Sequence, residues 1–190
     1  MKNLFIFLLM LCSFLSFSSN AQSKKTIKKY KVKSYSEVVT ETNGGKQTTY
    51  IAIENNYSPD GNLTGEAAGT PDGKYKKKRS YIYDKSGNIT TEDIYDAEGK
   101  LKESVKTKYN GTGKKTEEST FNANEKLLRK ELFVYNNLGE KTQEKLFDGT
   151  GKLIEKTLYE YDKRGLRILK KTFDDKGNVI STKKYEYDFY

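Results

Sequence analysis

Histidine and tryptophan are absent from the 190 residues, cysteine occurs once and proline twice. Without imidazole there is no Ser-His-Asp triad, no histidine general base and no histidine-rich zinc site. A single cysteine, Cys12, excludes an intramolecular disulfide, so the fold has to hold without a covalent staple. Aliphatic and phenylalanine side chains are scarce too. After residue 21, Val, Ile, Leu and Phe together number 31 of 169, under the roughly 20% at which a highly charged chain is expected to stay disordered.

The one long apolar run is at the start. Lys2 precedes the run at residues 4–15, and the small residues Ser19 and Ala21 follow at the spacing of a cleavage site. This pattern predicts a signal peptide over residues 1–21, cut after Ala21. The run falls short of the roughly 20 residues that span a bilayer, and Cys12 follows Leu11 instead of the small residue that precedes a lipid-bearing cysteine. The expected address is therefore periplasmic or extracellular, in a Gram-negative-type cell, with no transmembrane span after cleavage. Residues 22–42 read as a basic N-terminal arm and a first strand, and 43–190 as a repeat domain.

What is abundant is tyrosine, 15 residues, all beyond residue 21, and it is placed on a beat. An aromatic followed by Asp or Asn, two variable residues and Gly recurs from Tyr83-Asp84, Tyr95-Asp96, Tyr109-Asn110 and Phe121-Asn122 to Tyr135-Asn136, Phe147-Asp148, Tyr161-Asp162 and Phe173-Asp174. Tyr187-Asp188 opens a further copy. The steps alternate 12 and 14, a period of 26. Weaker copies run back through Tyr57 and residues 69–74, and residues 43–46 form a turn of altered spacing. Asp or Asn at the head of a type I turn accepts from the backbone two residues on, and Gly three residues later supplies positive φ for a bulged hairpin. Glu125 stands where that Gly belongs in one copy, which predicts local strain.

Between turns the side chains alternate with period two: Leu101, Val105, Thr107 and Tyr109 on one face, Lys102, Ser104, Lys106 and Lys108 on the other. The fold class is all-β, an elongated antiparallel meander of tandem β-hairpins in an open or partly curled sheet. A closed barrel or sandwich is the alternative, but a filled interior calls for more aliphatic residues. Pairs such as Tyr81 with Tyr83, Tyr159 with Tyr161 and Tyr185 with Tyr187 are expected to form columns across the strands.

The unit Tyr81-Ile82-Tyr83-Asp84-Lys85-Ser86-Gly87-Asn88 resembles the YD repeats of the RHS family, as do Tyr159 to Gly165 and Tyr185 to Asp188. The resemblance covers about residues 57–190. It implies strands of a spiralling β-shell on large secreted proteins, which in that family sometimes encloses a toxin and is sometimes described as sugar-binding. Encapsulation is not carried over to a chain of this length. Residues 95–101 and 147–153 also look like the hairpins of MORN-type repeat proteins. Neither resemblance supplies catalytic residues at matching positions.

The net charge is +9, and Lys24, Lys25, Lys28, Lys29, Lys31 and Lys33 crowd residues 23–33 with no acid among them. This segment is expected to be a solvated arm, and its lysines, with a second cluster at Lys77, Lys78 and Arg79, are the candidate contacts to an anionic surface. Nucleic acid is not the expected partner of an exported chain. The recurring carboxylates, Asp84 to Asp188, fall at turns and read as structural instead of as glycosidase pairs or calcium ligands. Exposed phenol rows at Tyr81, Tyr83, Tyr159, Tyr161, Tyr185 and Tyr187 are the candidate ligand-binding residues, since flat rings stack on sugars and their hydroxyls hydrogen-bond. No catalytic residue, metal site or cofactor is expected. The expected function is a non-enzymatic binding or scaffold module for envelope polysaccharide or an envelope protein. The alternative is an accessory subunit of a secreted RHS/toxin-type assembly that pairs through its sheet edges.

Overall fold

The computed structural model describes residues 23–43 and 45–190, and the expected signal peptide lies outside them. A short helix, α1 (Lys24–Tyr30), precedes twelve strands: β1 (Ser34–Asn43), β2 (Lys46–Tyr57), β3 (Leu63–Gly69), β4 (Tyr75–Tyr83), β5 (Ile89–Tyr95) and β6 (Leu101–Tyr109), then β7 (Lys115–Asn122), β8 (Leu127–Tyr135), β9 (Lys141–Asp148), β10 (Leu153–Tyr161), β11 (Arg167–Asp174) and β12 (Val179–Lys184). They form one sheet in strict chain order, every neighbour antiparallel. The ladder ends at β1 on one side and β12 on the other, so the sheet is open and is not a barrel. Twelve strands at about 4.8 Å make a ribbon over 50 Å long, about twice the length of its nine-residue strands.

The beat in the sequence is the beat of the strands. A step of 12 crosses an odd strand of 7 or 8 residues, such as β5 or β7, and a step of 14 crosses a nine-residue even strand, such as β6 or β8. The turns headed by an aromatic and Asp or Asn are built alike. At Asp84, Oδ1 accepts from the backbone N–H of Ser86 (2.8 Å) and Asn88 (2.9 Å), while the Gly87 N–H donates to the Asp84 carbonyl (3.1 Å). Gly87 sits at φ 84 and the pairing slips by one residue at Ile82/Tyr83, the expected bulge. Glu125 takes the same left-handed conformation, φ 59, where the corresponding residue of the other aromatic-led turns is Gly. Glu125→Gly should therefore raise stability by about 1 kcal/mol, read as a higher urea midpoint with unchanged slope; no gain would mean that the turn relaxes without strain.

The tyrosines that enter the even-to-odd turns lie along one long edge, the phenylalanines with Tyr95 along the other. On the first edge four phenols reach back twenty residues to the opening carbonyl of the preceding odd strand: Tyr83 to Leu63 (2.7 Å), Tyr109 to Ile89 (2.7 Å), Tyr161 to Lys141 (2.9 Å) and Tyr187 to Arg167 (2.8 Å). Those bonds stitch successive turns together. On the other face, lysine stems lie on the rings, with Lys106 Nζ 5.0 Å from the centre of Phe121 and Lys78 Nζ 4.7 Å from that of Tyr75.

Close packing runs only between consecutive strands, which is the neighbour-only cohesion of a repeat array. Few side chains are buried among the described residues: Ile27 and Tyr159 among the apolar ones, and at strand centres Ser119, Thr120, Thr157 and Thr172. β-Branched threonine suits this role because it fits the pleat and can pair across strands, as Thr157 and Thr172 do at 3.2 Å.

The basic arm departs from expectation. Residues 24–30 are helical, capped by the Ser23 hydroxyl, which accepts from the Thr26 N–H, and closed by Lys31 at φ 52. Lys28 and Lys29 occupy the last turn, where the helix dipole favours cations. A lone buried side chain, Ile27, anchors the helix to the sheet. One apolar residue sets no periodicity, so the pattern of lysines reads as coil.

Candidate functional site: a cleft beneath the helix

α1 crosses the face that carries Tyr81 and Tyr83, near the β2–β3 turn. Gly61 in that turn lies directly under it; a β-carbon there would come within 2.8 Å of the Lys24 carbonyl oxygen. Lys28 Nζ contacts Asp60 at 3.1 Å, an exposed pair that contributes little. Between the helix and the sheet lies a cleft of about 680 Å³. Its floor is apolar, from Ile53 and Tyr57 on β2, Leu63 and Ala68 on β3 and Tyr83 on β4, with Ile27 above; Lys24, Lys76 and Lys77 supply the cations.

Glu66 is the one acid of the lining. Lys77 Nζ and the Tyr81 hydroxyl both meet its Oε1 at 2.6 Å. Burial opposes its ionisation, but those two hydrogen bonds outweigh it, and the carboxyl titrates below its ordinary range. Burial and the bond to Glu66 push the Tyr81 phenol above its ordinary value, and burial raises Tyr83 as well. The phenols stay neutral and the acid stays charged at neutral pH.

Of the residues singled out by sequence, Lys24, Lys77 and Tyr83 line the cleft, and Tyr81 reaches it through its hydroxyl on Glu66. The others are scattered. Lys78 projects to the opposite face over Tyr75 and Tyr95, and Arg79 pairs with Glu92 at 2.7 Å, so the contiguous cluster 77–79 is divided between two faces and is no single patch. Lys29 lies over Tyr30, and Lys25 is exposed on the helix. Tyr159 is only 7% exposed, its hydroxyl on Glu144 and its ring between Lys141 and Arg167, so it is not free to stack on a sugar. Tyr161 and Tyr187 have their hydroxyls committed to backbone carbonyls, and the Tyr185 backbone extends the pairing to Ile168. The cleft residues Ile27, Ile53, Leu63 and Ala68 carry no signal that sequence alone could have joined.

The turn carboxylates are structural, each Oδ1 of Asp84, Asp96, Asp148, Asp162 and Asp174 accepting two backbone N–H bonds. Among the described residues no cluster of acids, His or Cys is grouped to hold a metal, and no helix is long and apolar enough to cross a membrane.

A column of glutamates, Glu66, Glu92, Glu118 and Glu144, runs along the same face at the repeat period. Cations or phenols answer each one: Lys77 and Tyr81, Arg79, Lys115, then Lys141 and Tyr159. Glu131 instead stands opposite Glu118 across the β7–β8 ladder. Burial first, then the charges of Glu118 and Glu144, push its carboxyl above the ordinary value of 4.5. A raised carboxyl favours the fold below that value and loses the contribution as pH climbs through the folded pKa. Glu131→Gln should thus stabilise at pH 7 by about 0.5 kcal/mol, with the gain vanishing below about pH 4. A gain independent of pH in denaturation series would contradict the electrostatic origin.

No family model matches the sequence, and no curated protein matches it. Solved structures similar to the chain include the TcdB2-TccC3 complex, at 14% identity and TM-score 0.40 over 80% of this chain and 9% of that one. The Photorhabdus luminescens Tc holotoxin pore matches at 14% identity and TM-score 0.43, over 82% of this chain and 10% of that one. A porin-like protein from Bacteroides uniformis matches at 16% identity and TM-score 0.39, covering 75% of this chain and 55% of that one. The chain thus spans about a tenth of the toxin chains it resembles.

Proposed function

We propose that the protein is an exported, non-enzymatic β-repeat scaffold of the YD type that holds an acidic envelope polysaccharide in the cleft beneath α1. The observation that carries this reading is the cleft itself: an apolar and phenolic floor, Lys24 and Lys76 in its lining, and its lone acid already bound by Lys77 and Tyr81. Rings and aliphatic carbons accept sugar faces, and free ammonium groups select carboxylated or sulfated units. The non-enzymatic part is supported by the commitment of the turn carboxylates to backbone N–H groups, together with the lack of any histidine or of a cysteine beyond residue 12.

Export is tested by the N-terminus of the protein recovered from producing cells. A chain starting at Gln22 in the periplasm or medium is expected; a cytoplasmic chain retaining residues 1–21 refutes it. Binding is tested by titrating the processed protein calorimetrically with an acidic polysaccharide and with its neutral counterpart. Only the acidic polymer should bind, and Lys24→Gln with Lys76→Gln should weaken it at least tenfold with an unchanged circular dichroism spectrum. Equal binding of both polymers, or an unaffected double variant, overturns the reading.

A further inference from the structure

The two ends of the ribbon differ in chemistry. β12 is exposed along its whole length and carries Lys183 and Lys184, with Glu186 and Asp188 in the segment that follows; β1 carries Glu37 and Glu41, with Lys33 just before it. Both also show apolar side chains to solvent, Val179 and Ile180 on β12, Tyr35 and Val38 on β1. Lysine on an outer strand ordinarily discourages indiscriminate pairing. Here it opposes β12 to another β12, just as the glutamates oppose β1 to another β1, while β12 and β1 attract.

The register says how they would meet. An even strand pairs with the following odd strand so that Tyr81 faces Glu92, Thr107 faces Glu118, Phe133 faces Glu144 and Tyr159 faces Lys170. The next even position in that series, 26 on from Tyr159, is Tyr185. The glutamate column has a member on β1 as well: Glu37 faces Ile53 as Glu66 faces Arg79 and Glu92 faces Val105, the partners again 26 apart. In phase, then, β1 of a second copy brings its Glu37 opposite Tyr185, with Lys183 two residues away. That is the arrangement of Tyr81, Arg79 and Glu92, where Arg79 and Glu92 meet at 2.7 Å.

We propose that copies of this chain associate end to end, β12 of one adding β1 of the next as a thirteenth strand in unbroken repeat register. The contact is heterologous, so it propagates into linear oligomers and does not stop at a two-fold dimer. The inference concerns the strand edges and is independent of the cleft.

The test is sedimentation velocity of the processed protein over a wide concentration range, at low salt and in about 1 M salt, where charges are screened beyond about 3 Å. Concentration-dependent growth that weakens with salt is expected. Glu37→Lys with Glu41→Lys makes both ends basic, and Lys183→Glu with Lys184→Glu makes both ends acidic; each variant alone should associate at least tenfold more weakly. Mixing the two variants, or combining all four changes in one chain, should restore assembly, a rescue that misfolding cannot imitate. A parent that stays monomeric throughout, single-end variants that assemble like the parent, or a mixture that fails to recover would each overturn the proposal. Acidic polysaccharide binding by the monomeric variants reports on the cleft separately.

Discussion

Replacing Tyr159 by alanine should cost about 3–5 kcal/mol, the range for removing a large buried ring, and it is the largest single loss expected in the sheet. Tyr159 is the one aromatic of the strands that is nearly enclosed, 7% exposed, beside the equally hidden Thr157. Its ring lies 5.0 Å from Lys141 Nζ and 4.6 Å from the Arg167 guanidinium, and its hydroxyl donates to Glu144 at 2.9 Å. Alanine would leave a void on β10, withdraw one of the two donors that keep Glu144 ionised, and strip the cover from two cations. Tyr159→Phe removes only the hydroxyl and should cost about 1 kcal/mol. Because strands contact only their neighbours, a break at β10 also weakens the coupling between the two parts of the array. Urea unfolding of the alanine variant should accordingly show a shallower slope as well as a lower midpoint. A loss below 1 kcal/mol would mean that the ring packs on the surface and that cohesion lies in the backbone ladders alone.

The architecture was legible because it is local. A turn is written in five consecutive residues, and Asp84 to Asn88 state both the side-chain acceptor and the positive-φ glycine without reference to anything distant. Repetition then carries that certainty along the chain, which is why the sheet order follows the sequence. β1 and β2 were readable only from the turn at residues 43–46, since their strands lie outside the regular beat. α1 leaves no signal in the sequence for a physical reason: a seven-residue helix owes its stability to docking, and its one anchoring residue, Ile27, makes no pattern. The cleft was invisible for the same cause, because it joins Ile27 to Ile53, Ala68 and Tyr83, a proximity created only when the helix lies down. The expected ring columns give way to mixed ones, since Tyr81 faces Glu92 and Tyr159 faces Lys170 on the next strand, and Tyr159 is enclosed instead of presented to a ligand. Glu144 faces Thr157, and the Tyr159 phenol two residues further along β10 reaches it diagonally as a structural pair; only the register reveals that the acid is there.

The glycines of the turns are of different kinds, and a matched pair of substitutions separates them. Gly149 and Gly111 both follow the turn-opening Asp or Asn, and neither has positive φ, so alanine strains the backbone at neither. At Gly111 a β-carbon would meet open space, and Gly111→Ala should be neutral or stabilise by up to about 1 kcal/mol by restricting the unfolded chain. At Gly149 the β-carbon would fall 2.2 Å from the Leu127 carbonyl oxygen, because the β9–β10 turn lies against the opening residue of β8. Backbone on both sides leaves little room to yield, so Gly149→Ala should cost about 1–3 kcal/mol. Ala97 and Ala123 carry a β-carbon at the same step of the turns along that edge, so the constraint belongs to the local approach of two turns and not to the turn type. Opposite signs for the two variants in thermal or urea unfolding tie the ribbon's long edge to direct turn-on-turn packing. Equal effects would show that the turns stand apart, leaving the tyrosine bonds of the other edge to hold successive hairpins together.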